Sequence, residues 1–312
     1  MITGGAGFIG SHLTDRLLAE DHQVLAIDNF ATSRRDNLSE SDGLTVVDGD
    51  IGDREALVKV FAAFGPEVVA HAAASYKDPD AWSEDARTNS LGGANVVEAC
   101  RESDVGRIVY FQTALCYGTQ PLEQPITLEH PIRPDSSYAI SKTTAEQYIA
   151  LSGIPWVSLR LANIYGPRNL SGPPPTFYQR LTEGKPVFVM DSRRDFIYVD
   201  DLLEVVVAAL GGTGEGAYHV STGSDYSIKE MFDAVTEAMG HEMEEEVEVR
   251  PRPPEDAPSI LLDPSRTKQD FGWEAKVPLQ DGIAKAVAWY REHGVGETYT
   301  HLKPEELKAE RA

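Results

Sequence analysis

Three glycines, Gly4, Gly7 and Gly10, stand three residues apart within Thr3-Gly4-Gly5-Ala6-Gly7-Phe8-Ile9-Gly10. This run narrows the possible folds more than any other feature of the chain. A strand that turns into a helix over so few residues needs backbone angles and close approaches that only glycine tolerates. The same turn leaves N–H groups at the helix N-terminus free to meet an anion. The expected element is therefore a strand, a tight turn and a helix, with Gly4, Gly7, Phe8, Ile9 and Gly10 cradling a dinucleotide pyrophosphate. An ordinary tight turn uses the same residues, so the distinction rests on residues further along the chain. Only three residues precede Gly4, although such a first strand is expected to be central and about five residues long. The sequence thus reads as one that starts inside that strand or downstream of its true beginning.

Well downstream stands Tyr138-Ala139-Ile140-Ser141-Lys142. Tyr138 and Lys142 are four apart in a helical stretch, so both project from one face. A phenol with its usual pKa near 10 is a poor base at neutral pH. A neighbouring ammonium and a positive nicotinamide ring are expected to stabilise the phenolate and lower that value. Lys142 is also placed to hold the nicotinamide ribose. Thr113 comes at the end of a buried strand and lies 25 residues before Tyr138. A site just past the carboxyl end of such a strand is where open α/β sheets bind ligands, so its hydroxyl is a candidate to orient a substrate alcohol. The plainer readings are a core tyrosine beside a surface lysine and a threonine that caps a strand.

Asp28 ends the second strand, 24 residues after Gly4. An acid there accepts hydrogen bonds from both adenosine ribose hydroxyls and repels a 2′-phosphate, which favours NAD over NADP. Arg34 and Arg35 pull the other way, but Asp28 holds the deciding position; a capping aspartate is the alternative. Asp50, in Gly49-Asp50-Ile51, is placed to reach the adenine amino group, or is a plain turn residue.

Apolar strands alternate with helical segments through the first half: Val24 to Asp28, Leu44 to Gly49, Val68 to Ala72, Arg107 to Phe111 and Trp156 to Leu161 as strands; Ser11 to Glu20, Arg54 to Phe64, Glu84 to Glu102 and Ser137 to Leu151 as helices. That alternation predicts an α/β fold with a doubly wound parallel Rossmann sheet. Residues 1–164 are read as the NAD-binding domain. Residues 165–312 are read mainly as a smaller C-terminal substrate-binding lobe, with segments of about 187–223 returning to the sheet. An amphipathic helix is expected over Ile283 to His293, and a loosely attached polar tail after Gly294.

Two cysteines, Cys100 and Cys116, make neither a disulfide framework nor a metal cluster. No apolar run is long enough to cross a bilayer, and the Gly-rich start is unlike a secretion leader, so a cytoplasmic protein is expected. The formal net charge is −22, from 50 acidic and 28 basic side chains. That argues against a nucleic-acid surface, which needs a basic stripe, and allows an anionic substrate only if a few arginines are placed locally.

The chain resembles the extended short-chain dehydrogenase/reductase family, in its nucleotide-sugar epimerase and dehydratase branch (UDP-glucose 4-epimerase-like). The resemblance runs over essentially the whole length. It is carried by the glycine run, by the Tyr138–Lys142 motif and by Asp28-Asn29-Phe30, His71-Ala72-Ala73-Ala74, Asn89, Asn163-Ile164-Tyr165-Gly166-Pro167 and Arg194-Asp195-Phe196-Ile197-Tyr198-Val199-Asp200-Asp201. It implies that Thr113, Tyr138 and Lys142 form the catalytic set. Tyr138 would take the proton of the sugar 4-hydroxyl while hydride leaves C4 for NAD. It further implies that Asn29, Ile51, Ala72 and Asn89 belong to the cofactor site. Asn163 would contact the phosphates of a nucleotide-diphosphate sugar, with Arg194 and Arg252 as further candidates for the anion. Helix faces within Glu84 to Glu102 and Ser137 to Leu151 would pair in a homodimer.

The chain departs from the pattern in two places that matter. Related dehydratases and decarboxylases carry acids directly after the catalytic Thr or Ser; Ala114 and Leu115 stand there here. By subtraction, the expected reaction is C4 epimerisation: oxidation, rotation of the 4-keto sugar, and re-reduction from its other face. The alternatives are a dehydratase with its acid elsewhere, a keto-sugar reductase, and a silent binding protein of the same fold. The family's Gly-Asp-Gly turn is shortened to Met190-Asp191-Ser192, and Cys116 fills a place usually held by Val, where it reads as a small buried hydrophobe.

Overall fold

The computed structural model describes residues 1–252 and 257–298. The glycine turn begins as soon as a two-residue strand, β1 (Ile2–Thr3), is complete. Five more strands come after it: β2 (Val24–Asp28), β3 (Leu44–Asp48), β4 (Val68–His71), β5 (Arg107–Thr113) and β6 (Trp156–Leu161). They join Gly216–Val220 in one seven-stranded sheet of order Gly216–Val220, β6, β5, β4, β1, β2, β3. Every pairing is parallel. Chain order reverses between β1 and β4, and the crevice beyond the carboxyl ends of those strands is where such sheets place a ligand.

The period-two alternation of the strands sorts side chains onto two helical layers. Ile108 and Tyr110 of β5 face a cluster with Leu57, Phe61, Val96, Cys100, Ala145 and Ile149. These come from α2 (Arg54–Phe64), α4 (Gly92–Glu102) and α5 (Ser137–Leu151). Val109 and Phe111 face the opposite cluster, with Leu13 of α1 (Phe8–Ala19) and Leu202, Leu203, Val205, Val206 and Ala209 of the helix Val199–Leu210. Burial on both faces explains why these strands read as continuous apolar runs.

The helix expected over 84–102 is present but not uniform. It starts with a single turn, α3 (Trp82–Asp85), passes through a π-helical stretch at Ala86–Leu91 and continues as α4. Asn89 sits in the wide turn, with its carboxamide bonded to the backbone N–H and C=O of Ser75 and to Ser141 Oγ. A π turn inserts one extra residue, and such bulges recur at functional sites. Helix α1 starts at Phe8, three residues earlier than read from sequence, because Gly7 already serves as its N-cap.

A second core lies beyond residue 165. Phe177, Tyr178, Phe232, Met231, Ile283 and Tyr290 pack together from three helices, α6 (Pro173–Thr182), Ile228–Met239 and Leu279–His293. Three small two-stranded sheets surround it. Within 187–223, Gly216–Val220 joins the main sheet, whereas Phe188–Met190 pairs with Glu248–Arg250. The tail expected after Gly294 falls largely on residues outside those described.

At Gly10 an added Cβ would lie 2.1 Å from Gly4 O, inside contact distance of backbone on the facing turn. Gly10→Ala should therefore destabilise the protein by about 3 kcal/mol and abolish dinucleotide binding, measured by urea unfolding and by cofactor content after purification. An unaltered midpoint would refute the tight-turn argument.

Candidate active site

A cavity of about 520 Å³ opens at the reversal point, lined by the glycine turn, the ends of β2, β4 and β5, and the face of α5. That volume lies in the range of ordinary ligand sites. Its floor is the turn itself. Gly4 has φ +67°, and a Cβ there would meet Ala73 N at 2.7 Å. Gly7, Phe8, Ile9 and Gly10 all reach the wall. Asn37 braces the turn from behind, its Nδ2 donating to Ala6 O at 2.9 Å.

Asp28 lines the cavity at the end of β2 and is buried. One carboxylate oxygen accepts from Ala6 N at 2.9 Å, and the other accepts from Phe30 N and Ser33 Oγ, each at 2.8 Å. It therefore ties the glycine turn to β2 as well as facing the cavity. Arg34 is engaged with Asp36 and the carbonyl of His293, and Arg35 with Asp48 and the ring of Phe30. Neither arginine lines the cavity. Asn29, Asp50, Ile51 and Ala72 complete this half of the wall. Partial burial pushes Asp50 up, but Arg87 at 2.6 Å and the N–H of Gly52 hold it below the usual carboxylate range.

Thr113, Tyr138 and Lys142 converge at the other end. Thr113 is the last residue of β5; its Oγ1 accepts from Leu115 N at 3.1 Å, while Gln112 Oε1 holds its N–H at 2.9 Å. A hydroxyl that accepts from the backbone keeps its own proton available to donate. Helix α5 begins at a Ser136 N-cap, which places Tyr138 and Lys142 one turn apart on the face turned to the sheet. Lys142 is almost fully buried, with Nζ 4.2 Å from the ring centre of Tyr110, whose hydroxyl donates to Lys142 O.

Burial drives the Tyr138 phenol well above its usual range, and Tyr76 and Asp85 push the same way. Burial also lowers Lys142 to about 7, against the pull of Glu146. The ammonium alone therefore does not lower the phenol, because desolvation disfavours both charged forms. Tyr138 is neutral in the chain as it stands, and a further positive charge is needed to form the phenolate. His71 is pushed down to about 3 by burial and by Lys142, so it is neutral, with Nδ1 2.7 Å from Thr3 Oγ1.

Of the remaining residues expected in the site, Asn163 lines the cavity, its Nδ2 donating to Asp195 O. Asn89 does not line it and acts from behind by holding Ser75. Arg194 and Arg252 also lie outside the wall; Arg194 Nη1 bonds to the carbonyls of Arg193 and Ala257. Arg168, which sequence reasoning passed over, does line it. It takes the left-handed conformation at φ +65° and pairs with Asp15 at 2.7 Å. Its place directly after Tyr165-Gly166-Pro167 was the available signal. Cys116 is fully buried with its thiol pushed up to about 12, which bears out a hydrophobe and not a nucleophile. Among the described residues, no group of His, Cys, Asp and Glu could hold a metal ion.

These residues fit a dinucleotide. The turn has room only for hydrogen at Gly4 and Gly10, helix α1 begins at the cavity wall, and an acid rather than a free arginine stands at the end of β2.

Comparison with known proteins agrees. Residues 1–221 match the NAD dependent epimerase/dehydratase family, and the chain belongs to it. A UDP-glucose 4-epimerase of Mycolicibacterium smegmatis is 34% identical over 310 residues, 93% of this chain and 98% of that one. The Bordetella bronchiseptica enzyme WbmH, crystallised with NAD+, is 53% identical with a TM-score of 0.92, over 94% of this chain and 98% of its own. WbmG from the same organism, in complex with NAD and UDP, is 46% identical with a TM-score of 0.90, over 97% of each chain.

Lys142 also makes a stability prediction. Its folded-state pKa lies below the ordinary 10.5, so the charged form is disfavoured on folding. That penalty is present in full below about pH 7 and disappears as pH rises through 10.5. Lys142→Met should raise the unfolding free energy of the cofactor-free protein at pH 7 by roughly 1–4 kcal/mol, with the gain fading toward pH 10.5. Denaturant titrations at several pH values measure this; a variant less stable at pH 7 would contradict it.

Proposed function

We propose that this member of the NAD dependent epimerase/dehydratase family is a nucleotide-sugar 4-epimerase that acts on a UDP-sugar and holds NAD through the catalytic cycle. The observation that carries this reading is the turn after β5. Thr113 joins Tyr138 and Lys142 on one cavity wall, while the next two residues, Ala114 and Leu115, supply no acid for elimination. Ala114 is itself packed against Cys116, Tyr117 and Ile126.

When bound, NAD supplies the acceptor and then the donor of one hydride at sugar C4, and is regenerated in each turnover. Tyr138 Oη takes the proton of the sugar 4-hydroxyl and returns it after the keto sugar has turned its other face. Thr113 Oγ1 orients that oxygen. The Lys142 ammonium stabilises charge on Tyr138 Oη and holds the nicotinamide ribose, and Asp28 accepts from the adenosine ribose. Asn163 serves the diphosphate. Arg168 takes the anion-binding part expected of Arg194 and Arg252, since its planar fork matches phosphate oxygens and it lines the cavity.

The same reading divides the chain into a cofactor domain, residues 1–164, and a mainly substrate-binding lobe, residues 165–312. It also includes a homodimer. Ile140, Tyr148 and Leu151 are exposed along one face of α5, with Leu91 exposed nearby, and pairing of this face between copies would cover them. Among the described residues no helix is long and apolar enough to cross a membrane, and both cysteines are free; we place the enzyme in the cytoplasm.

Purified protein incubated with UDP-, dTDP- and GDP-sugars, with the products identified by NMR, should yield a C4-inverted UDP-sugar with no cofactor added. A stable 4-keto-6-deoxy product, or turnover only with added NAD(P)H, would sink the epimerase reading. Tyr138→Phe should lower kcat by roughly a hundredfold or more while retaining NAD; undiminished turnover would remove Tyr138 from the mechanism.

A further inference from the structure

Behind the catalytic face, α5 carries a third buried polar residue in the same register. Tyr138, Lys142 and Glu146 recur at intervals of four, so they line one side of the helix. Glu146 is 5% exposed and Lys142 2%. A carboxylate this deep needs partners, and it has three bonds. Ser158 Oγ donates to Oε1 at 2.5 Å, Arg160 Nε donates to Oε1 at 3.1 Å, and Arg160 Nη2 donates to Oε2 at 3.1 Å. Both donor residues lie on β6.

The remaining arm of Arg160 continues the chain of contacts. Its Nη1 donates to the Tyr117 hydroxyl at 2.7 Å, and that oxygen lies 2.6 Å from His219 Nε2. His219 Nδ1 is 3.0 Å from Asp263 O. Tyr117 closes the short 3₁₀ turn Ala114–Tyr117 that is capped by Thr113. One buried chain of hydrogen bonds thus joins the helix bearing Tyr138 and Lys142 to the turn just after Thr113.

The charges in this chain do not balance. Lys142 and Arg160 are two cations served by one carboxylate, and the other titratable neighbours bring no compensating charge. His71, from β4, is held neutral by burial and by Lys142 itself; Tyr110, from β5, is a neutral phenol under the ammonium; Cys116 is a neutral thiol. On α5, Tyr138 is neutral, and Asp85 of α3 acts on Tyr138 and is itself pushed up by burial. Arg87 of the π-helical stretch turns away to Asp50. Glu146 is the group that opposes the loss of charge from Lys142.

We propose that Glu146 is a positioning residue of this site: clamped to β6 by Arg160 and Ser158, it is the buried counter-charge that keeps Lys142 an ammonium one turn below Tyr138. Glu146 touches neither cavity nor ligand, since it does not line the wall. Its effect reaches the reaction only through Lys142. The proposal rests on the part Lys142 plays in the proposed epimerase, but its direct measurement needs no substrate.

The test uses NAD-loaded protein labelled with ¹³C at lysine Cε, with the Lys142 signal assigned by its loss in Lys142→Met. Glu146→Gln should lower the titration midpoint of that signal by about 0.5–1 pH unit. The alkaline limb of kcat/KM should move down by the same amount, a threefold to tenfold loss on that limb. Glu146→Asp, which keeps the charge, should restore the wild-type midpoint. Because Glu146→Gln leaves Arg160 buried without its carboxylate, the double variant Glu146→Gln/Arg160→Gln provides a neutral pair that keeps the fold. Its midpoint should lie between those of the wild type and Glu146→Gln, because the lost cation offsets part of the lost carboxylate. An unchanged midpoint in the folded Glu146→Gln variant overturns the proposal. A shifted midpoint in a protein that inverts no sugar would uphold it and sink the epimerase reading instead.

Discussion

Between Gly4 and Gly10 there is room for hydrogen and nothing larger. The facing backbones approach so closely that a methyl group at residue 10 would lie 2.1 Å from Gly4 O. That contact lets β1 turn into α1 at once and sets the helix N-terminus against the cavity. Asp28 pins the turn from β2 through Ala6 N, Asn37 holds Ala6 O from the loop beyond, and Thr3 reaches His71 on β4. The three strands that border the crevice are thus tied together through one turn. The catalytic helix then needs only to lie across the neighbouring strand, where Tyr110 bonds to its backbone.

The second organising fact is how charge is matched behind the catalytic face. Around α5 the buried Lys142 and Arg160 share the carboxylate of Glu146, and burial holds His71 and His219 neutral. Desolvation raises Tyr138 and lowers Lys142 together, so burial opposes the charged form of each. In the proposed mechanism, the positive charge of a bound cofactor beside the phenol would offset part of that cost.

Much of the fold was legible because its signals are local. Strands β2 and β6 and helices α2 and α5 have the limits expected from their apolar runs; Tyr138 and Lys142 stand on the helix assigned to them, while β5 runs on past Phe111 to include Thr113. The misreadings share a cause. The π turn at Ala86–Leu91 carries Asn89, which bonds to Ser75 and Ser141, contacts 14 and 52 residues away in sequence that no window of the chain displays. Arg194 and Arg168 are equally basic in sequence. Only the path of the chain after Pro167 turns one of them to the cavity and leaves the other bonded to backbone carbonyls. Spacing likewise reveals the charge of Lys142 near Tyr138 but not the burial that raises the phenol in the chain alone.

By itself the sequence determined the sheet type, the glycine turn, the acid at the end of β2 and the three residues proposed for the reaction, because each depends on spacing along one strand or helix. It also displayed the absence of an acid after Thr113. Tertiary structure decided what depends on distance through space. Asp28 and Asn37 brace the turn, Arg168 rather than Arg194 reaches the cavity, and Glu146 faces two buried cations at once. Those outcomes come from packing and desolvation, which act between segments that the linear order keeps far apart.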